Sequence, residues 1–253
     1  MSKNYELMKL AEIGCGDALG VTIAGIGAET THNSVASTEC MTPVEPLVRE
    51  ELLKLVQRLF LIPEQAPPKA VMFAAIDART KCNRLCAITA ELLAESVPGS
   101  VCLVEGNFRS PSLPGMFGMA NHLGLADSLR QDGPIRGFAR QLRRGNLWLL
   151  SSGSLEEDAL NLLNCERMKE RIAELRSEFD YLLIDVPPLN VYADAMVFGR
   201  LADGVLLVLE ANATRRESAL RIAQSLRSTR IPVLGAVLNG RTFPIPGSLY
   251  KRL

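Results

Sequence analysis

Near-continuous apolar runs alternate along the chain with longer segments whose apolar residues recur at helical spacing. The runs, rich in Val, Leu and Ile, fall at 70–75, 101–105, 147–151, 181–185, 204–209 and 232–238. Amphipathic segments at 82–96, 122–130, 166–178, 193–201 and 215–229 separate them. Buried strands joined by helices predict an α/β fold: a mainly parallel sheet with helices on both faces. Right-handed crossovers then place functional loops at the carboxyl ends of the strands. Ahead of the first run, Val48, Leu52, Leu55, Val56, Leu59 and Phe60 fall on one stripe of a helix predicted over 48–61. That stripe either packs on its own domain or meets a neighbouring subunit. Pro63, Pro67 and Pro68 punctuate the chain before the first core strand.

Residues 1–45 read differently. Met1 to Ile13 has the composition of a short helix, but Gly14 to Pro46 mixes Gly, Thr, Ser, Asn and Pro without period 2 or 3.6. The expected organisation is a flexible N-terminal arm over 1–45 and one α/β domain over 46–253. At 253 residues with 47% hydrophobic content, the chain can bury one full core.

Charge and cysteine usage narrow the function classes. Twenty-eight basic and 28 acidic side chains cancel, so no general attraction to nucleic acid is implied. The basic cluster Arg140 to Arg144 reads as a solvated helix face. Cysteines at 15, 40, 82, 86, 102 and 165 match no zinc or disulfide spacing, which fits reduced thiols and a cytoplasmic location. His32 and His122 stand near no nucleophile motif, so hydrolase triads and metal catalysis find little support.

The candidate chemistry sits after the first core run. A buried strand, a short connection and a helix form the scaffold of a phosphate-binding loop. Here the connection Ile76-Asp77-Ala78-Arg79-Thr80-Lys81-Cys82-Asn83-Arg84-Leu85-Cys86 contains no glycine. Glycines let backbone N–H groups wrap phosphates, a lysine reaches the terminal ones, and a hydroxyl holds magnesium.

Three further segments carry a resemblance. Val101-Cys102-Leu103-Val104-Glu105-Gly106-Asn107-Phe108-Arg109-Ser110-Pro111-Ser112-Leu113 is similar to a second Walker motif that reads, after a strand, Asp-Ala-Asp-Leu-Arg-x-Pro-Ser-Leu. Phe179-Asp180-Tyr181-Leu182-Leu183-Ile184-Asp185-Val186-Pro187-Pro188, followed by Tyr192-Ala193-Asp194-Ala195, resembles a Walker B segment. Leu234-Gly235-Ala236-Val237-Leu238-Asn239 resembles a last core strand. In this order and spacing, over roughly residues 46 to 253, they resemble the capsule and exopolysaccharide tyrosine kinases of the CpsD/CapB type, a P-loop family with deviant Walker motifs.

The resemblance assigns roles position by position. The family loop Pro-Gly-Glu-Gly-Lys-Ser/Thr-Thr-Thr falls on Ala78 through Leu85, making Arg79, Thr80, Lys81, Cys82, Asn83 and Arg84 its nucleotide positions. Both glycines become cationic residues, the lysine becomes Cys82 and the magnesium hydroxyl becomes Asn83. Glu105 and Asn107 replace two aspartates that hold magnesium and act as base; Asn107 cannot accept a proton as a base. Asp185 keeps the Walker B carboxylate, with Glu105 as a second oxygen donor for a cation. Its alternative role is to cap the Val186-Pro187-Pro188 turn. Asn239 matches a base-recognising amide, and Tyr250 is the one tyrosine where the family carries a phosphorylated cluster.

A regulatory or scaffolding pseudo-kinase is expected, without cofactor, docking on a membrane-embedded polysaccharide co-polymerase or chain-length regulator and reaching the inner membrane through that partner. A homo-oligomer through helix 48–61 is compatible with the resemblance. Two alternatives stand beside it: an ATP- and Mg2+-dependent tyrosine autokinase with an atypical loop, and a nucleotide sensor that binds without hydrolysis.

Overall fold

Strand β2 (Ala70–Ala75) is buried along its whole length and runs between β6 (Tyr181–Val186) and β7 (Gly204–Glu210), parallel to both. A computed structural model describes residues 19–24, 44–62, 66–121, 123–155, 159–163 and 165–241. The remaining strands are β1 (Leu19–Ala24), β3 (Val101–Glu105), β4 (Arg140–Gln141), β5 (Leu147–Leu150) and β8 (Val233–Arg241). They form one eight-stranded sheet in the order β1-β8-β7-β2-β6-β3-β5-β4. Every pairing is parallel except β4 with β5. The order reverses around β2, and the loops at the carboxyl ends of the central strands open there.

Alternation along β2 divides the core in two. Met72 and Ala74 face one cluster, completed by α4 (Leu125–Arg130), α6 (Glu166–Glu178), α7 (Ala195–Leu201) and α8 (Arg216–Ser228). Val71, Phe73 and Ala75 face the other, beneath α1 (Pro46–Val56) and α2 (Cys82–Ser96). Two single-turn helices, α3 (Leu113–Met116) and α5 (Ala159–Leu162), sit in connections. The predicted strands and long helices stand where the apolar runs placed them, within a few residues.

The stripe on α1 packs on its own domain. Val48, Leu52, Leu55 and Val56 are buried in the second cluster, and the helix continues through a π-helical turn (Gln57–Leu61) that also turns Leu59 and Phe60 inward. Phe60 meets Tyr181 edge to face at 5.8 Å. The outer face pairs Lys54 with Glu50 and Glu51, and Arg49 reaches Glu95 on α2.

Two local expectations are corrected. Arg140 to Arg144 is no helix face: Arg140 and Gln141 pair antiparallel with Leu149 and Trp148, and Leu142 N–H donates to the Leu147 carbonyl. The exposed edge of β5 supplies partners that a helix of this length lacks. Residues 19–24, inside the expected flexible arm, form β1, in register with β8 from Leu19 opposite Gly235 to Thr22 opposite Leu238. The rest of residues 1–43 lies outside the described residues, as does Tyr250.

Because Leu52 is fully buried, Leu52→Ala is expected to destabilise the domain by about 2–5 kcal/mol. Reversing Glu50 and Glu51 to lysine on the polar face is expected to change stability by less than about 0.5 kcal/mol. Urea unfolding of both variants checks the contrast.

Candidate functional site at the carboxyl ends of the central strands

The loop from β2 to α2 closes on itself. Arg79 N–H donates to Asp77 Oδ1 at 3.2 Å, Thr80 N–H to the Asp77 carbonyl at 3.5 Å, and Cys82 N–H to the Thr80 carbonyl at 2.9 Å. Arg84 N–H donates to the Asn83 side chain at 2.8 Å. These four backbone donors, beside a helix start that would otherwise offer them to an anion, are turned to acceptors of the loop itself. The side chains of Arg79 and Lys81 are exposed, while Thr80 is buried and its hydroxyl has no partner among the described residues.

Beneath the loop lie two carboxylates. Register sets Glu105, the last residue of β3, opposite Asp185 of β6; they are 0% and 1% exposed. Glu105 accepts the N–H groups of Ser112 (2.8 Å) and Leu113 (3.1 Å). Burial still pushes its pKa up to about 7, against the pull of those two donors. Neither oxygen of Asp185 has a hydrogen-bond partner. Burial, then the charge of Glu105, holds Asp185 well above the usual carboxylate range. The neighbouring Cys82 thiol pulls the other way but forms no hydrogen bond with it. Cys82 and Cys86 are themselves kept protonated by burial and by Asp185.

The other predicted positions are tied into neighbouring loops. Asn83 donates to Ser112 Oγ at 2.7 Å, joining the start of α2 to the loop after β3. Asn107, half-buried, accepts Ser110 N–H in a turn of its own. Arg109 pairs with Asp194 at 2.8 Å and lies over the Tyr192 ring. The loop after β6 is pinned to β2, with Leu189 and Asn190 N–H donating to the carbonyls of Ala75 and Ile76.

Asn239 belongs to a second constellation. Its amide donates to Glu210 Oε2 at 2.9 Å, and its carbonyl oxygen is buried without a partner. Thr214 Oγ accepts Glu210 N–H and donates to Asp77 Oδ2 at 2.9 Å, latching the loop after β7 onto the loop after β2. Asp77, Glu210, Thr214 and Ser112 were absent from the sequence-derived set. Asp77 and Thr214 are 137 residues apart, and no local spacing pairs them. Gly240, at φ +69, passes so close to Glu210 that a Cβ would lie 2.0 Å from its carboxylate.

The sheet thus brings Asp185, Glu105 and Cys82 together, with Asn83 above them, and leaves Asn107, Arg109 and Asn239 to separate contacts. Among the described residues no group of three or more His, Cys, Asp or Glu side chains is placed to hold a metal ion. Hard oxygen donors are present in Asp185 and Glu105, but Glu105 already accepts two N–H groups and a thiol stands beside Asp185.

The raised carboxyls fix the sign of a pH dependence. In the folded state Glu105 keeps its proton up to about 7 against an ordinary 4.5, so folded protein binds the extra proton between those values. The contribution of Glu105 to stability is fullest below about pH 4.5 and is lost as pH rises through 7, by on the order of 3 kcal/mol. Relative to the double variant Glu105→Gln/Asp185→Asn, the unmodified protein is expected to lose that stability between pH 5 and 8. Urea unfolding at both pH values measures it; parallel curves would refute the account.

No protein-family profile matches the chain. It is 29% identical over 141 residues to the tyrosine-protein kinase YwqD of Bacillus subtilis, covering 56% of this chain and 60% of that protein. It is 26% identical over 193 residues to the tyrosine-protein kinase wzc of Salmonella typhimurium, covering 76% of this chain and 27% of that one. The matches therefore span less than two thirds of these relatives' own length. Among solved structures, the chimerical protein CapA2B2 superposes with a TM-score of 0.78 at 18% identity, over 93% of this chain and 100% of that one. The kinase domain of the Escherichia coli tyrosine kinase ETK does so with the same score and identity, over 96% and 98%. In sequence the chain resembles the bacterial tyrosine kinases of the CpsD/CapB type, and it has the fold of their kinase domains.

Proposed function

We propose that this protein is a regulatory or scaffolding pseudo-kinase of a capsule or exopolysaccharide system, working through protein contacts and not through phosphoryl transfer. One observation carries the reading: the backbone donors of Arg79, Thr80, Cys82 and Arg84 are bound within the loop that would have to cradle phosphates. Around it, the lysine position holds a buried, protonated Cys82, and the hydroxyl position holds Asn83, whose amide is committed to Ser112. The amide of Asn239, at the base-recognising position, is committed to Glu210. These residues do not suit a magnesium nucleotide. Positioning and charge stabilisation are what phosphoryl transfer needs, and a loop whose donors at Arg79, Thr80, Cys82 and Arg84 are already bound supplies little of either.

The partner class in this reading is a membrane-embedded polysaccharide co-polymerase or chain-length regulator, met on the cytoplasmic side. Support is the likeness to CapB- and Wzc-type kinases. No described helix is long and apolar enough to cross a membrane. A second reading, a sensor that binds a cation or nucleotide without hydrolysis, is favoured by the two unpartnered oxygens of Asp185.

Calorimetric titration with ATP and Mg2+ separates the readings. Loss of the donor cradle, the lysine and the hydroxyl removes several charge-assisted contacts of about 1.5–3 kcal/mol each. Binding weaker than about 1 mM is therefore expected, with no transfer of labelled phosphate to the chain. A micromolar Kd abolished by Asp185→Asn would establish the sensor, and autophosphorylation abolished by the same change would establish the kinase.

A further inference from the structure

The chain is neutral overall, but its charge is not evenly placed. Between Thr214 and Ile231 it carries five arginines, Arg215, Arg216, Arg221, Arg227 and Arg230, against one acid, Glu217. This stretch is α8 with its two ends, and all five guanidinium side chains are exposed. Arg215, Arg216 and Arg230 have no side-chain partner among the described residues, and Arg221 has only the Ser218 hydroxyl at 3.3 Å. Arg200 on α7 is also exposed, and the neighbouring Gly199 packs against Ile231, the residue after Arg230. The nearby acids are engaged elsewhere, Asp194 by Arg109, Asp203 by Arg176 and Asp77 by Thr214.

Helical spacing orders the patch. Buried Ala219 and Leu226 point into the core, and half-buried Ile222 packs beside them. Arg216, Leu220 and Arg227 fall on one stripe at the margin of that face, with Leu220 half-exposed between the two guanidiniums. The thirteen-residue helix is about 20 Å long. It presents a row of cations, interrupted by an apolar side chain, to whatever lies alongside. Exposed arginines in such a row gain most against a plane of phosphates, which guanidinium binds in bidentate fashion. An apolar residue set among them suits the boundary between headgroups and acyl chains.

We infer that α8 is an electrostatic docking face for anionic lipid headgroups, which orients this otherwise neutral domain on a membrane surface. The choice of lipid over another polyanion rests on the docking reading above, which brings the chain to a membrane-embedded partner. Attraction of this kind acts within a Debye length, about 8 Å at physiological salt, and adds to a protein contact without replacing it.

Co-sedimentation of the full chain with protein-free vesicles tests the inference separately from that reading. Vesicles containing anionic phosphatidylglycerol are expected to retain the protein at 0.1 M salt and release it at 0.5 M, while pure phosphatidylcholine vesicles retain none. Neutralising Arg215, Arg216 and Arg221 to glutamine should weaken retention about fivefold per arginine, or roughly a hundredfold together. Removing three charges from the opposite side, Lys54→Gln with Arg58→Gln and Arg143→Gln, should change it less than about twofold. Circular dichroism of both triple variants confirms that the fold is kept. Equal retention on both lipids, or equal loss in both variants, overturns the inference. So does tighter binding to duplex DNA than to anionic vesicles at equal phosphate and salt, which would make α8 a nucleic-acid face. Failure on vesicles with intact capture by a co-polymerase removes this inference alone; the converse removes only the docking reading.

Discussion

Glu105 at the end of β3 and Asp185 one residue before the end of β6 lie opposite each other in neighbouring strands near the middle of the sheet, and water reaches neither. A carboxylate in that setting must be protonated, hydrogen-bonded or paired, because an isolated buried charge costs several kcal/mol. Glu105 meets the requirement by drawing in the N–H groups of Ser112 and Leu113, which dictates where the chain turns after β3. Asp185 lacks such donors; burial holds it well above the usual carboxylate range, and a thiol stands beside it in place of an amine. The backbone is drawn tight around the pair. Gly106 donates to the Asp185 carbonyl at 2.8 Å, and any Cβ there would press on that carbonyl and on the Phe198 ring.

Four loops meet over this pair and are sewn to one another. Asn83 reaches Ser112, Asp77 reaches Thr214, and the loop after β6 hangs from the last carbonyls of β2. Each tie joins segments far apart in the chain, so none can let go without freeing a polar group from its partner. Such a surface opens by cooperative local unfolding of several loops and not by the swing of one.

Strands buried along nearly their whole length announce themselves as apolar runs, which is why β2, β3 and β7 were legible from the runs at 70–75, 101–105 and 204–209. The buried stripe of α1 was equally plain, although the surface it covers was not: periodicity says that Leu52 is hidden and never by what. Asp185 and Glu105 were found because the segments that resemble a Walker B and a second Walker motif place them at the ends of such runs. Thr214 and Glu210 were missed because their bonds to Asp77 and Asn239 are set by which strands lie side by side. The strand at Leu19–Ala24 was missed for the same reason. Its partner is the open edge of β8, and the Gly- and Thr-rich surroundings conceal it.

That first strand has a consequence for the order in which the molecule is made. β1 leaves the ribosome more than two hundred residues before the β8 edge on which it lies. Until β8 arrives, it has no place in the sheet. Pairing at such a separation closes the largest loop in the described fold, and the entropy of closure puts it late. That strand is thus among the last pieces set, covering the β8 edge from Gly235 to Arg241 that would otherwise stay open to other chains.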